Sequence, residues 1–179
     1  MKKTKSEVKI IISLIIVAAV ALVTVFTDCK GRLLVIQNNT TGYKTEFYLP
    51  DNQFSLGYMH SVMKTPAEEF FRVNDNNEIV LEKTVYESFG VGLPFLANED
   101  DFEIKDDKFI LKTNYIFKEI NMIISPIPKH WLQIGDMKYE LTDVLKVKNS
   151  SITIYIIDIS IIKYLSLLFT NQFIGEEIM

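Results

Sequence analysis

Turn chemistry cuts the chain after Gly31 into short pieces, and this punctuation limits the fold more than any other feature. The pieces at 32–37, 45–49, 54–60, 68–73 and 78–86 are rich in β-branched and aromatic residues. Between them stand Asn38-Asn39-Thr40-Thr41-Gly42, Pro50-Asp51-Asn52 and Asn74-Asp75-Asn76-Asn77. Farther on, Asp106-Asp107 separates 102–105 from 108–111, and Gly135-Asp136 separates 131–134 from 137–141. Both pairs are two-residue hairpin signals. With a last strand at 151–157, the pattern predicts an all-β domain, a mainly antiparallel sandwich or barrel.

The two ends of the chain depart from that pattern. Residues 10–26 form 17 uncharged positions in which Ser13 and Thr24 are the polar side chains. This is the lower limit for a membrane-spanning helix, where about 20 apolar residues are usual. Lys2, Lys3, Lys5 and Lys9 precede the run and place the N-terminus in the cytoplasm. The expected organisation is a cytoplasmic basic segment at 1–9, a transmembrane signal anchor at 10–27, and an extracytoplasmic β-rich domain at 31–179. Two other fates compete with the anchor. One is cleavage at Ala19-Val20-Ala21, which would leave an apolar stub. The other is lipid attachment at Cys29, where Asp28 takes the place of the usual small residue.

At the C-terminus, residues 158–169 are predicted as a short helix. Asp158 would be its N-cap, and Ser160, Lys163 and Ser166 recur every three positions. Ile159, Ile161, Ile162, Tyr164, Leu165, Leu168 and Phe169 would form its broad apolar face. The helix is too short to span a bilayer. It either caps the core or docks on the bilayer or a membrane partner, although Glu176 and Glu177 oppose an anionic surface.

Charge excludes one class of function. The chain carries 19 basic and 23 acidic residues. The first nine residues contain four of the former and one of the latter, leaving 15 against 22 and a domain charge of −7. An acidic domain without a Lys/Arg stripe repels phosphates, so no nucleic-acid partner is expected. With 48 % apolar and 23 % charged residues the chain has the composition of a folded protein. The single cysteine rules out an internal disulfide or a thiolate cluster.

One constellation stands out. Alternation along 54–60 puts Phe54, Leu56, Tyr58 and His60 on one face, which is the inward one. On the returning strand Glu69, Phe71 and Val73 share a face, and Glu68, Phe70 and Arg72 share the other. Glu69 is therefore expected to point inward, and pairing across the 61–67 connection would bring it to His60 at the mouth. An inward carboxylate needs a partner, so an ion pair or hydrogen bond is expected. The pair would be pH-sensitive, or would simply hold the loop in shape.

Other chemistries lack their parts. Ser61 follows His60 and would face the opposite way, so the two form no nucleophile–base pair. A zinc site would need His60, His130 and distant carboxylates without ligand spacing. Gly90-Val91-Gly92 is followed by Leu93-Pro94 and opens no phosphate-binding helix. Asp100-Asp101 and Asp106-Asp107 lack the spacing of a calcium loop. No catalytic set, metal or cofactor is expected, and the chain is read as a non-enzyme.

The stretch Phe54-x-Leu56-x-Tyr58-Met59-His60-Ser61-Val62-x-Lys64-Thr65-Pro66-x-x-Glu69 resembles the signature of a small exported bacterial family of unknown function, found beside TAXI-type TRAP transporters. Tyr86-Glu87-Ser88-Phe89-Gly90-Val91-Gly92-Leu93-Pro94 is similar to its second motif. The likeness extends from Leu33 to Phe169. It implies an extracytoplasmic accessory or ligand-binding protein of a transporter for organic acids or related solutes. The partners it implies are the transporter's membrane or solute-binding subunits. His60, Ser61, Lys64, Thr65, Pro66, Glu69, Tyr86, Gly90 and Gly92 are the candidate ligand- or partner-binding residues. A passive envelope domain is the main alternative, and a hydrolase using His60 or Glu69 is the remaining one.

Overall fold

The computed structural model describes residues 9, 11–18, 31–60, 63–87, 102–159 and 164. Among them, eleven strands form two antiparallel sheets. The strands are β1 (Arg32–Asn38), β2 (Lys44–Leu49), β3 (Gln53–Met59), β4 (Pro66–Val73), β5 (Ile79–Tyr86) and β6 (Phe102–Lys105). β7 (Lys108–Phe117), β8 (Glu119–Ile124), β9 (Trp131–Ile134), β10 (Met137–Glu140) and β11 (Ser150–Asp158) follow. One sheet has the order β2-β1-β11-β8 and the other β10-β9-β3-β4-β5-β7-β6.

The sheets pack face to face as a sandwich. Leu34, Ile36, Phe47, Ile152 and Ile154 of the four-stranded sheet meet Phe54, Leu56, Phe71, Ile79 and Leu132 of the seven-stranded one. All are almost fully buried. This burial is the main favourable term in folding, and it fixes the register. A slip by one residue would turn every one of these side chains outward.

The expected hairpins form. Asp106 and Asp107 both take positive φ (51° and 59°), as a two-residue turn matched to strand twist requires. Gly135 does so at 54°. Other expectations need correction. β7 runs on to Phe117, and β8 follows after a single residue; neither the extension nor β8 was expected. Residues 112–118 break the polar/apolar alternation with three polar residues and then three apolar ones, and no turn cluster separates the two strands. Asp158 is not a helix N-cap: it ends β11, paired with Arg32. Of residues 160–179, Tyr164 is described; it is helical, and its ring lies 6.0 Å from that of Tyr48. A one-turn helix at Leu141–Val144 was not foreseen.

Residues 11–18 are helical and lie within the expected anchor. Among the described residues no helix is long and apolar enough to cross a membrane. Residue 10 and residues 19–30, Cys29 included, lie outside the described part.

The ends of the sandwich are distinct. Arg32 opens β1, and its guanidinium bonds Asn77 (2.9 Å) and Asp75 (3.4 Å) in the β4–β5 turn. The entry point of the chain, the β2–β3 turn and the β4–β5 turn therefore share one end. At the other end lie the β3–β4 connection, the last residues of β5 and the β8–β9 connection, where Met59 N–H donates to the Pro128 carbonyl.

Candidate functional site

The β3–β4 connection is tied by its own backbone. His60 N–H donates to the Thr65 carbonyl and Lys64 N–H to the His60 carbonyl, both at 2.9 Å. The Met63 N–H donates to His60 Nδ1 at 3.2 Å. Lys64 takes a left-handed conformation, φ 57°, to close the loop. His60 is thus built into the loop as an acceptor. Ser61 and Val62 lie outside the described residues.

His60 and Glu69 are not cross-strand neighbours. The β3–β4 register pairs Met59 with Pro66 and Leu56 with Glu69. Glu69 is therefore four residues along the strand from His60, about 13 Å at strand rise. The faces were foreseen correctly and the register was not: the loop is too short to bring residue 69 back to residue 60.

The register instead forms a cross-strand row from both motif segments. Tyr58 pairs with Ala67, Ala67 with Tyr86, and Tyr86 with Phe109. The Tyr86 and Phe109 rings stack at 5.5 Å, and Phe102 stacks on Phe109 at 5.9 Å. Ala67, Tyr86 and Leu111 form a second buried cluster, with Tyr58, Phe102 and Phe109 packed against it. One row deeper, Glu69 faces Leu56 on one side and Thr84 on the other.

Glu69 is half-buried, and among the described residues its carboxylate has no hydrogen-bond or ion-pair partner. Burial pushes its pKa above the ordinary carboxylate value. Burial likewise raises the Tyr58 phenol, and the negative charge of Glu69 raises it further. The titratable neighbour of Glu69 is thus Tyr58, which feels its charge, and not His60.

A second missed residue is His130. Trp131 pairs with Gly57, which sets His130 beside Tyr58, with ring centroids 6.1 Å apart. Burial pushes its imidazole below the ordinary value. No local signal marks this neighbour, because it depends on β9 lying next to β3.

On the opposite face Trp131 lies flat across Gly57. A Cβ at Gly57 would stand 2.1 Å from the indole, so only glycine fits there. Lys138 Nζ covers the ring at 3.5 Å. Gly57 thus serves packing beneath the motif strand.

The other candidates divide clearly. Lys64 is exposed, Thr65 supplies its carbonyl to the loop, and Pro66 starts β4. Gly90 and Gly92 lie outside the described residues. Among the described residues no group of three His, Cys, Asp or Glu is placed to hold a metal. A 330 Å³ hollow lined by Phe47, Tyr48 and Tyr139 and a 240 Å³ hollow beside Ser55 and Phe70 contain none of the candidate residues.

A half-buried carboxyl with a raised pKa, set near the Tyr58 phenol with His130 on the far side of that ring, can donate or accept hydrogen bonds. That arrangement suits recognition of a polar group. No curated protein and no solved structure matches the chain. Residues 54–141, from Phe54 in β3 to Leu141 just after β10, match the family model described as a domain of unknown function, DUF1850.

Proposed function

We propose that this chain is an extracytoplasmic accessory or ligand-binding protein of a TAXI-type TRAP solute transporter, anchored by residues 10–27, and that it binds rather than turns over its ligand. The observation that carries the reading is the cross-strand row Tyr58–Ala67–Tyr86. It joins the two motif segments in one row, buried at Ala67 and Tyr86 and half-open at Tyr58, with Glu69 beside it, at the end remote from Arg32. A carboxyl with a raised pKa keeps its proton to higher pH and can donate it to a solute carboxylate; ionised, it accepts from N–H or O–H groups. Loops and sheet ends carried on a rigid scaffold are the usual place for such recognition.

The test is co-purification with the transporter subunits from solubilised membranes. Wild type should retain them, and Glu69→Gln and Tyr58→Ala should lose them with melting temperature kept within a few degrees. Retention by both folded variants would remove this end from recognition. A second reading, a passive envelope domain, is favoured by the His60 ring, whose Nδ1 is spent on the loop backbone. Under that reading His60→Ala lowers stability and leaves co-purification unchanged.

A further inference from the structure

Large apolar side chains are exposed at both ends of the sandwich, Met63, Ile104 and Ile127 at the motif end among them. Among the described strands only β7 ends in three in succession. Tyr115, Ile116 and Phe117 are consecutive at the end of β7 and are 65 %, 56 % and 37 % exposed. Successive residues on a strand point to opposite faces, so this strand end is apolar on both sides. Such a rim cannot bury itself against another sheet.

Register shows where the rim lies. Phe117 pairs with Ile79 and Ile116 with Val80 at the start of β5. That start follows the turn whose Asn77 and Asp75 hold the Arg32 guanidinium. The rim therefore shares an end with the point where the chain enters the domain. The apolar run stops at Phe26, and Gly31 follows five steps later. Fully extended, those steps span at most about 18 Å, while the headgroup layer on each side of a bilayer is roughly 5–8 Å deep.

We propose that Tyr115, Ile116 and Phe117 seat the domain on the outer surface of the lipid bilayer, so that the motif end faces away from the membrane. The inference rests on residues 10–27 being a membrane anchor. A tyrosine, an isoleucine and a phenylalanine together match the interfacial zone, where amphipathic rings and apolar side chains enter the headgroup level. At the same end the exposed carboxylates of Asp51, Asp75 and Glu119 oppose anionic headgroups and outnumber the exposed Lys118 beside Phe117. The surface addressed is therefore a zwitterionic one. Docking at this end would turn the half-buried Tyr58 and Glu69 toward an extracytoplasmic partner instead of the membrane.

The test uses the full chain with Cys29→Ser in phosphatidylcholine vesicles, with an environment-sensitive fluorophore on Ile116→Cys. The same probe on Tyr115→Cys guards against a single disturbed site. Ile127→Cys, 75 % exposed at the opposite end, is the reference. The 115 and 116 probes should shift to the blue, be quenched by brominated lipid and escape aqueous iodide, while the 127 probe does the reverse. Probes at 115 and 116 that behave like the one at 127, in a chain that resists alkaline carbonate extraction, would overturn the docking and leave the anchor standing. Carbonate extraction of the chain would overturn both. Shielding in cell membranes but not in pure lipid would overturn lipid docking in favour of a membrane protein.

Discussion

Strands β3, β4 and β5 pass through two environments along their length. At the Arg32 end Phe54, Phe71 and Ile79 lie under the four-stranded sheet, against Leu34, Ile36 and Ile154. At the other end the same strands carry Tyr58, Ala67, Glu69, Thr84 and Tyr86, whose cluster contains no residue of that sheet. Seven strands cannot be covered by four. The part beyond the four-stranded sheet is where the chain keeps Tyr58, Tyr86, the half-buried Glu69 and His130. Stability and recognition are thus separated by a few residues along common strands.

Substitutions at the covered end should cost the most. Ile154→Ala should cost about 2–5 kcal/mol, read as a lower melting temperature and denaturation midpoint, because a fully buried side chain leaves a cavity in both sheets' core. Gly57→Ala comes next. Its methyl would collide with the Trp131 ring, and overpacking of this kind costs about 1–3 kcal/mol; a change in Trp131 fluorescence should accompany it. His60→Ala should cost less, about 0.5–1.5 kcal/mol for the lost acceptor of the Met63 amide, with faster hydrogen exchange at that amide.

The smallest effect has the opposite sign. Burial raises the folded-state pKa of Glu69, so its favourable contribution to folding is fully present below the unfolded value of about 4.5 and is lost as pH rises through the folded value. Glu69→Gln should therefore be more stable than wild type at pH 7. The difference should shrink as the pH is lowered past 4.5 in paired thermal melts. A variant less stable than wild type at pH 7 would mean that the carboxylate has a partner in the folded domain.

The sequence revealed what is local and concealed what depends on strand order. The Asp106-Asp107 and Gly135-Asp136 turns, the β-rich class and the inward face of Glu69 follow from residue type and period two. The register did not follow, and it separates Glu69 from His60. His130 beside Tyr58 and Trp131 over Gly57 both require β9 to lie next to β3, a contact across more than seventy residues of chain. β8 was hidden although Glu119-Ile120-Asn121-Met122 alternates, because no turn cluster separates it from β7 and only Lys118 stands between the two strands. Asp158 looked like a helix cap by residue type alone and proved to be a strand end facing Arg32.

The motif end is built around a half-buried carboxyl whose charge acts on the Tyr58 phenol. The most direct measurement is an NMR titration of the full chain, following the Glu69 carboxyl carbon, assigned by its loss in Glu69→Gln, together with the Tyr58 ring. The account predicts that Glu69 titrates above the ordinary carboxylate range and that Glu69→Gln lowers the Tyr58 pKa. A Glu69 that titrates like a solvated side chain, with Tyr58 unmoved by its replacement, would contradict it.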